Sequence, residues 1–255
     1  MSNSAISAGI LCYSYAETTQ DIYFLLGRQR QTADWPRGSN RWSEFGGCVE
    51  EGESEVHCAA REFVEESMAL IPISGDASEH YTSITTVQEA LKNHKYTYRI
   101  AIEVETDHAS RKHRVCYLRR IPWLPELPER FEYVKNCLDA INDALQKGME
   151  EAIDCYNNQP PIIQQHPAIE VKRDHEQKIV HIHVRREYRE IYQIKWWSLH
   201  RIKSVLKTGG SYKNKYCFRL GFLTTISIVL KQFHVMENIC QNLDVFAEDD
   251  DDEII

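Results

Sequence analysis

The chain has 255 residues, 42% of them hydrophobic and 27% charged, which is enough apolar material for a globular protein of one large or two small domains. No run approaches the roughly 18 apolar residues that span a bilayer, and MSNSAISAGILCYSYAE lacks the basic start and small-residue cleavage site of a signal peptide, so cytosol or nucleus is expected. The net charge of -8 owes six units to Glu248 to Glu253, leaving the body near -2, so nucleic acid is not excluded as a partner.

Residues 5–15 and 22–30 read as two strands joined by the polar AETTQD, a hairpin. The segment TADWPRGSNRWSEFGG is rich in Gly, Pro, Ser and Asn and should be an exposed loop. From Ser54 to Leu70 the apolar residues Val56, Ala59, Ala60 and Phe63 recur at helical spacing, and Pro72 should end that helix. HYTSITTV, KYTYRIAIEVE and HRVCYLRRI are rich in β-branched and aromatic residues and read as strands. Residues 129–156 place Phe131, Val134, Leu138, Ile141 and Leu145 on one face of a single helix. QKIVHIHV and REIYQIKWWSL return to strand character before a short helix around HRIKSVL, and a last helix is expected from Phe218 to about Asn242. The acidic tail after it has too little apolar content to fold.

Eight cysteines, at 12, 48, 58, 116, 137, 155, 217 and 240, form no CxxC pair and no cysteine-histidine cluster at zinc spacing, so free and mostly buried thiols are expected. Basic stretches at Arg111–Arg120, His183–Arg189 and Lys207–Arg219 read as solvated faces or as an anion-binding surface.

The densest chemistry lies in GGCVEEGESEVHCAAREFVEES, residues 46–67. On a helix starting near Ser54, Glu62 and Glu66 are one turn apart with Glu65 beside them, so three carboxylates project together. Like charges so placed repel, and either water or a divalent cation makes the arrangement tolerable. Mg²⁺ takes oxygen ligands and completes its shell with water and phosphate. Arg61 lies one turn before Glu65, and the glycines at 46, 47 and 52 allow a tight turn that brings a carbonyl to the same ion.

Gly47, Glu53 and the run Arg61-Glu62-Phe63-Val64-Glu65-Glu66, with their fixed gaps up to Met68, resemble the Nudix box of the Nudix hydrolase superfamily. The glycine that usually follows the paired glutamates is Ser67 here, a departure expected to be tolerated. Upstream IYFLLGRQR and downstream Glu190-Ile191, Trp196 and SLHRI are similar to the family's flanking elements. The resemblance implies an α/β fold, the family's α/β/α sandwich around a mixed sheet, over residues 1–207. A helical insertion at 122–175, a C-terminal helical extension at 208–246 and a disordered acidic tail at 247–255 complete the expected organisation.

It further implies hydrolysis of a diphosphate linkage in a nucleoside diphosphate derivative with Mg²⁺ or Mn²⁺. Glu62, Glu65, Glu66 and the Gly46 carbonyl are the implied metal ligands, and Glu53 and Arg61 organise the loop and helix. Glu190 and Glu187 are the candidates for a later carboxylate that completes the site. Arg28, Arg30, Trp42 and Glu187 are expected to meet substrate, and Trp35, Trp123 and Tyr188 are further rings for stacking on a guanine.

The EES ending and REIYQIKWWSL also resemble the mRNA-decapping Nudix enzymes of large DNA viruses, which would make capped RNA a substrate in host cytoplasm. Nucleotide sugars, dinucleoside polyphosphates and diphosphoinositol phosphates are the small-substrate alternatives, and a non-catalytic RNA- or protein-binding module is the alternative of another class. No box glutamate is missing, which favours an enzyme. The acidic tail suits a protein partner or simple solubility, and no membrane partner is expected.

Overall fold

The computed structural model describes residues 5–31, 40–73, 81–104, 112–209, 211–212 and 215–231. Trp35, Lys213, Cys240 and the acidic tail lie outside the described residues.

Strands β1 (Ala5–Ala16) and β2 (Asp21–Gln29) form the expected antiparallel hairpin, with Cys12 opposite Leu25 and Ala16 opposite Asp21. The short β3 (Trp42–Ser43) pairs with β2, and β4 (Phe45–Cys48) pairs with the first half of β1. β5 (Thr97–Val104) and β6 (Lys112–Arg120) are antiparallel to one another, while β6 runs parallel to β1, which makes the sheet mixed. A late strand, β9 (Ile191–Ser198), returns along β2. The seven strands follow the order β3-β2-β1-β6-β5, with β4 on β1 and β9 on β2.

Alternation along β1 sends Ile10 and Cys12 to one core and Leu11 and Tyr13 to the other, so this strand must be covered on both faces. Helices supply both covers. On the first face lie α1 (Glu55–Glu66), α2 (Ile84–Lys92) and α3 (Leu127–Leu145). On the second lie α6 (Leu199–Lys207) and a helix over 220–231 that contributes Phe222, Ile226 and Val229. The result is an α/β/α sandwich. No described helix is long and apolar enough to cross a membrane.

Several boundaries differ from expectation. HYTSITTV does not form a strand: Ser83 caps α2 by accepting from the Thr86 N–H at 3.1 Å, and Val87, Ala90 and Leu91 form its buried stripe. The β-branched residues at 84–87 belong to the first turn of that helix. α1 ends at Glu66 rather than Leu70, because Met68 and Ala69 take left-handed φ values of 55° and 56° and the Ala69 N–H returns to the Val64 carbonyl at 2.7 Å. The chain thus turns well before Pro72. Ser67 itself has φ -86°, so the glycine usual there is not required.

The single helix expected over 129–156 is two, α3 and α4 (Met149–Asn157), interrupted at Lys147-Gly148. Residues 122–175, expected as a helical insertion, also hold a short α5 (Pro161–Gln164) and β7 (Ile169–Arg173), which pairs with β8 (Ile179–Val184). In the C-terminal region a small hairpin, β10 (Ser211–Tyr212) with β11 (Lys215–Tyr216), comes first. Phe218 bridges to Trp42 and the helix starts at 220. Of the described cysteines, 12, 58 and 116 are buried, 137, 155 and 217 are half-buried and 48 is exposed, so fewer are buried than expected.

Candidate active site

The loop between β4 and α1 turns at Gly52, whose φ of 80° suits glycine alone at little cost, and Ser54 then caps α1 by accepting from the His57 N–H at 3.2 Å. Glu53 accepts from the Glu50 N–H at 3.0 Å and from Arg61 at 2.9 and 3.1 Å, which ties the loop to the second turn of the helix. The Arg61 hydrogen bond holds the Glu53 carboxyl below its usual range, although burial opposes it.

The same guanidinium also donates to Glu62 at 2.8 Å, to Glu65 at 3.3 Å and to the Cys48 carbonyl at 3.4 Å. One cation therefore serves three carboxylates. Glu65 receives a second arginine, Arg185 at 3.2 Å, and Glu66 accepts from the Gly46 N–H at 2.7 Å.

Burial pushes the Glu62 and Glu65 carboxyls up against the opposing pull of Arg61. Glu66 is raised well above the carboxylate range, by burial first and then by the charge of Glu62. Its relative exposure is 3%. These acids are thus short of positive charge, and their oxygen donors are of the kind a hard divalent cation takes. Among the described residues no three His, Cys, Asp or Glu side chains form a closed metal-binding group. Arg61 and Arg185 hold the oxygens of Glu62 and Glu65 instead.

Glycine is needed beside them. A Cβ on Gly47 would collide with the Glu62 carboxylate, and one on Gly46 would sit 2.6 Å from the Ala8 carbonyl oxygen. Gly46 itself donates its N–H to the Glu66 carboxylate at 2.7 Å.

Glu190 follows a 3-10 turn over Arg186–Arg189. It lies close enough to Glu62 and Glu66 that its charge raises both carboxyls, and its own is raised by burial against the pull of Arg186, Arg219 and Arg61. Glu187 is on the same turn but half its side chain is exposed, 3.9 Å from Arg185.

Arg28 is half-buried, donates to the Asn40 carbonyl at 3.2 Å, and lies over the Trp42 and Tyr192 rings at 5.8 and 5.3 Å. Arg30 grips Asp139 of α3 with two bonds of 3.0 and 2.9 Å, so it braces the insertion. Trp42, expected to face substrate, is a core ring packed edge-on to Trp197 at 5.5 Å. Tyr188 is likewise buried, and the half-buried Trp123 packs at a tilt against Tyr23 and Trp196. Arg119, part of a basic stretch, is 4% exposed and bonded to backbone, so it offers no charge to an external polymer.

Sequence reasoning missed Arg185, Arg219 and Asp139 as parts of the site. The two arginines fall in stretches flagged only as basic, and Asp139 carries no local signal at all.

A buried, arginine-laced set of carboxylates behind a glycine turn is the apparatus of cation-assisted phosphate chemistry. Residues 6–127 match the NUDIX domain family, so the chain contains a NUDIX domain. No curated protein matches the chain. Among solved structures, it is similar to the NUDIX domain of Shewanella oneidensis NrtR complexed with ADP ribose, at 10% identity and TM-score 0.40, over 91% of this chain and 90% of that one. It is also similar to a Francisella tularensis bifunctional NMN adenylyltransferase/ADP ribose pyrophosphatase complexed with AMP and Mn ion, at 12% identity and TM-score 0.42, over 91% of this chain and 42% of that one. A C. elegans Ap4A hydrolase aligns at 17% identity and TM-score 0.25, over 46% of this chain and 68% of that one.

Proposed function

We propose that the protein hydrolyses a diphosphate linkage in a small, soluble nucleoside diphosphate derivative, with Mg²⁺ or Mn²⁺ held by Glu62, Glu65 and Glu66. The observation that carries this reading is the buried Glu66 carboxylate, which accepts from the Gly46 N–H at 2.7 Å and has the charges of Glu62 and Glu190 beside it, both of which raise its carboxyl. A bound divalent cation supplies charge neutralisation of the phosphates and acidifies bound water. The chain's own residues do the rest. Glu53 and Arg61 fix the loop and helix so that the acids keep their places. Glu190, half-buried, is the candidate to take a proton from the attacking water, because a raised carboxyl is a better base than an ordinary one. Arg185, Arg186 and Arg219 flank these groups and suit the equatorial oxygens of a phosphate.

The second reading, removal of the 5' cap of mRNA, draws on the same arginines, since a capped transcript presents a polyphosphate followed by further phosphates. Burial of Arg119, at 4% exposure, withdraws one cation of the basic stretch at Arg111–Arg120 from the body of an RNA. That favours a small substrate. Incubation with Mg²⁺ or Mn²⁺ and capped RNA, nucleotide sugars, dinucleoside polyphosphates or diphosphoinositol phosphates separates the readings by product. Efficient turnover of a small nucleotide, insensitive to added RNA and to salt, supports the first. Selective cleavage of capped RNA supports the second, and no cation-dependent cleavage of any of them removes both.

A further inference from the structure

A cavity of about 610 Å³ opens at the ends of β1 and β6, lined by Thr18, Tyr96, Arg119, Arg120 and Trp123 among others. The box glycines pair with Ala8 and Gly9 near the start of β1, whereas the cavity begins at Ser14. Five residues of strand separate Gly9 from Ser14, about 17 Å at 3.3 Å per residue. The cavity is therefore not the space in front of the carboxylates.

Its deepest polar group is unusual. Arg119 is 4% exposed, yet its hydrogen-bond partners are the Ala90 and Ile73 carbonyls, at 3.1 and 2.9 Å, and the Thr97 hydroxyl at 2.9 Å, all neutral. Its Nε is buried without a hydrogen-bond partner, and among the described residues no carboxylate forms an ion pair with it. The neutral acceptors fix the plane of the guanidinium and staple β6 to α2, but they leave its charge uncompensated, a costly state for a buried ion. Arg120 adds a second guanidinium to the wall, while Glu17, the acid that also lines the cavity, sits exposed in the turn after β1.

The remaining wall is aromatic and rigid. The Tyr96 ring lies 5.7 Å from the Arg119 guanidinium. Trp123 packs at a tilt against Tyr23 at 4.6 Å and Trp196 at 4.8 Å, and Trp196 is pinned by its indole N–H to the Leu124 carbonyl at 2.9 Å. A volume in the range of small-molecule sites, flat aromatic walls and buried positive charge on one side together select a planar ring that carries an anion.

We propose that this cavity is a second ligand site, distinct from the hydrolytic centre, that takes a nucleoside monophosphate with its base against Trp123 and Tyr96 and its phosphate toward Arg119 and Arg120. The site does not depend on the hydrolase reading, because its residues lie outside the box.

Calorimetric titration of the full chain with AMP and with GMP, in EDTA so that cation-dependent phosphate binding is silent, tests it. Wild type and the box variant Glu66→Gln should bind at least one of the two saturably and with the same affinity. Thr18→Trp, which plugs the mouth from an exposed turn, and Arg120→Gln should each weaken binding about tenfold or more while melting temperature holds. Adenosine alone and inorganic phosphate alone should both bind more weakly than AMP. Absence of saturable binding of either nucleotide to wild type overturns the proposal, as does binding that Glu66→Gln abolishes and Thr18→Trp leaves intact.

Discussion

Asp139, on helix α3, holds Arg30, the residue that follows strand β2, through both carboxylate oxygens at 3.0 and 2.9 Å. The Arg30 backbone N–H donates to the Glu190 carbonyl at 2.7 Å, and its Nε donates to the Arg189 carbonyl at 3.1 Å. Asp139 also accepts from Arg189 at 3.0 Å and Lys135 at 3.2 Å. An insertion far along the chain thus braces the turn that presents Glu190 to the box. Burial opposes ionisation of Asp139, but these donors prevail and hold its carboxyl below its usual range.

Asp139→Asn should therefore act through position. It keeps the shape of the side chain and loses one strong acceptor, so stability should fall by only about 1 to 2 kcal/mol. Turnover should fall about tenfold with KM little changed, because misplacing a catalytic group raises the barrier more than it weakens substrate binding. Steady-state kinetics beside a denaturant melt check this, and an unchanged kcat would separate the insertion from the chemistry.

Glu66→Gln should give opposite signs for activity and stability. The amide oxygen can still accept the Gly46 N–H, but the charge is gone, so cation-dependent turnover should drop roughly 100-fold or more. The Glu66 carboxyl titrates above its unfolded value when folded, so at neutral pH its ionised form costs stability. Without added metal the variant should melt at a higher temperature than wild type, and Mg²⁺ should narrow the difference. A lower melting temperature together with full activity would defeat the assignment of this residue.

Phe63→Ala is the contrasting change on the same helix. Phe63 is fully buried and meets Phe45 edge-on at 5.6 Å, so its truncation should cost roughly 3 to 5 kcal/mol through a core cavity. Activity should fall only as the folded fraction falls. Thermal melts and activity recorded over one temperature series show whether the two curves coincide.

The box was legible because its signal is local: the spacing of Glu53, Arg61, Glu62, Glu65 and Glu66 lies within one loop and one helix, where sequence distance fixes spatial distance. The sandwich was legible for the same reason, through the alternation of β1 and the apolar stripes of α1 and α3. What stayed hidden was pairing across long sequence gaps. Nothing near Arg30 announces Asp139, and nothing in WSEF tells that Trp42 turns inward onto Trp197. HYTSITTV was misread because β-branched residues at a helix start look like a strand until Ser83 is seen as the cap.

Gly47→Ala should damage the site with little effect on the rest of the fold. The added methyl would occupy the place of the Glu62 carboxylate, which must swing away and release its bond from Arg61. Activity should drop about tenfold or more while the core, which does not include Gly47, keeps its packing. Amide exchange of the core strands should match wild type; broad loss of protection there would show that the glycine serves the fold rather than the carboxylate.

His166 should give the protein a weak point on the acid side. It is 1% exposed, its Nε2 lies 3.0 Å from the Met68 carbonyl, and its Nδ1 accepts from the Ala168 N–H at 3.0 Å, which fixes the neutral ring with the proton on Nε2. Met68 holds a left-handed φ of 55° at the end of the box helix, so this ring clamps the turn that stops α1. Burial depresses its pKa from 6.5 to about 4. In the unfolded chain the ring takes up a proton near 6.5, so stability is complete above that pH and declines as pH falls toward 4. The decline is on the order of 3 kcal/mol at about 1.4 kcal/mol per pH unit. His166→Gln, which can still donate to Met68, should be less stable than wild type at pH 8 but should lose less on acidification between pH 6.5 and 4. Denaturant melts across that window measure both slopes, and equal slopes would place the acid sensitivity on other groups.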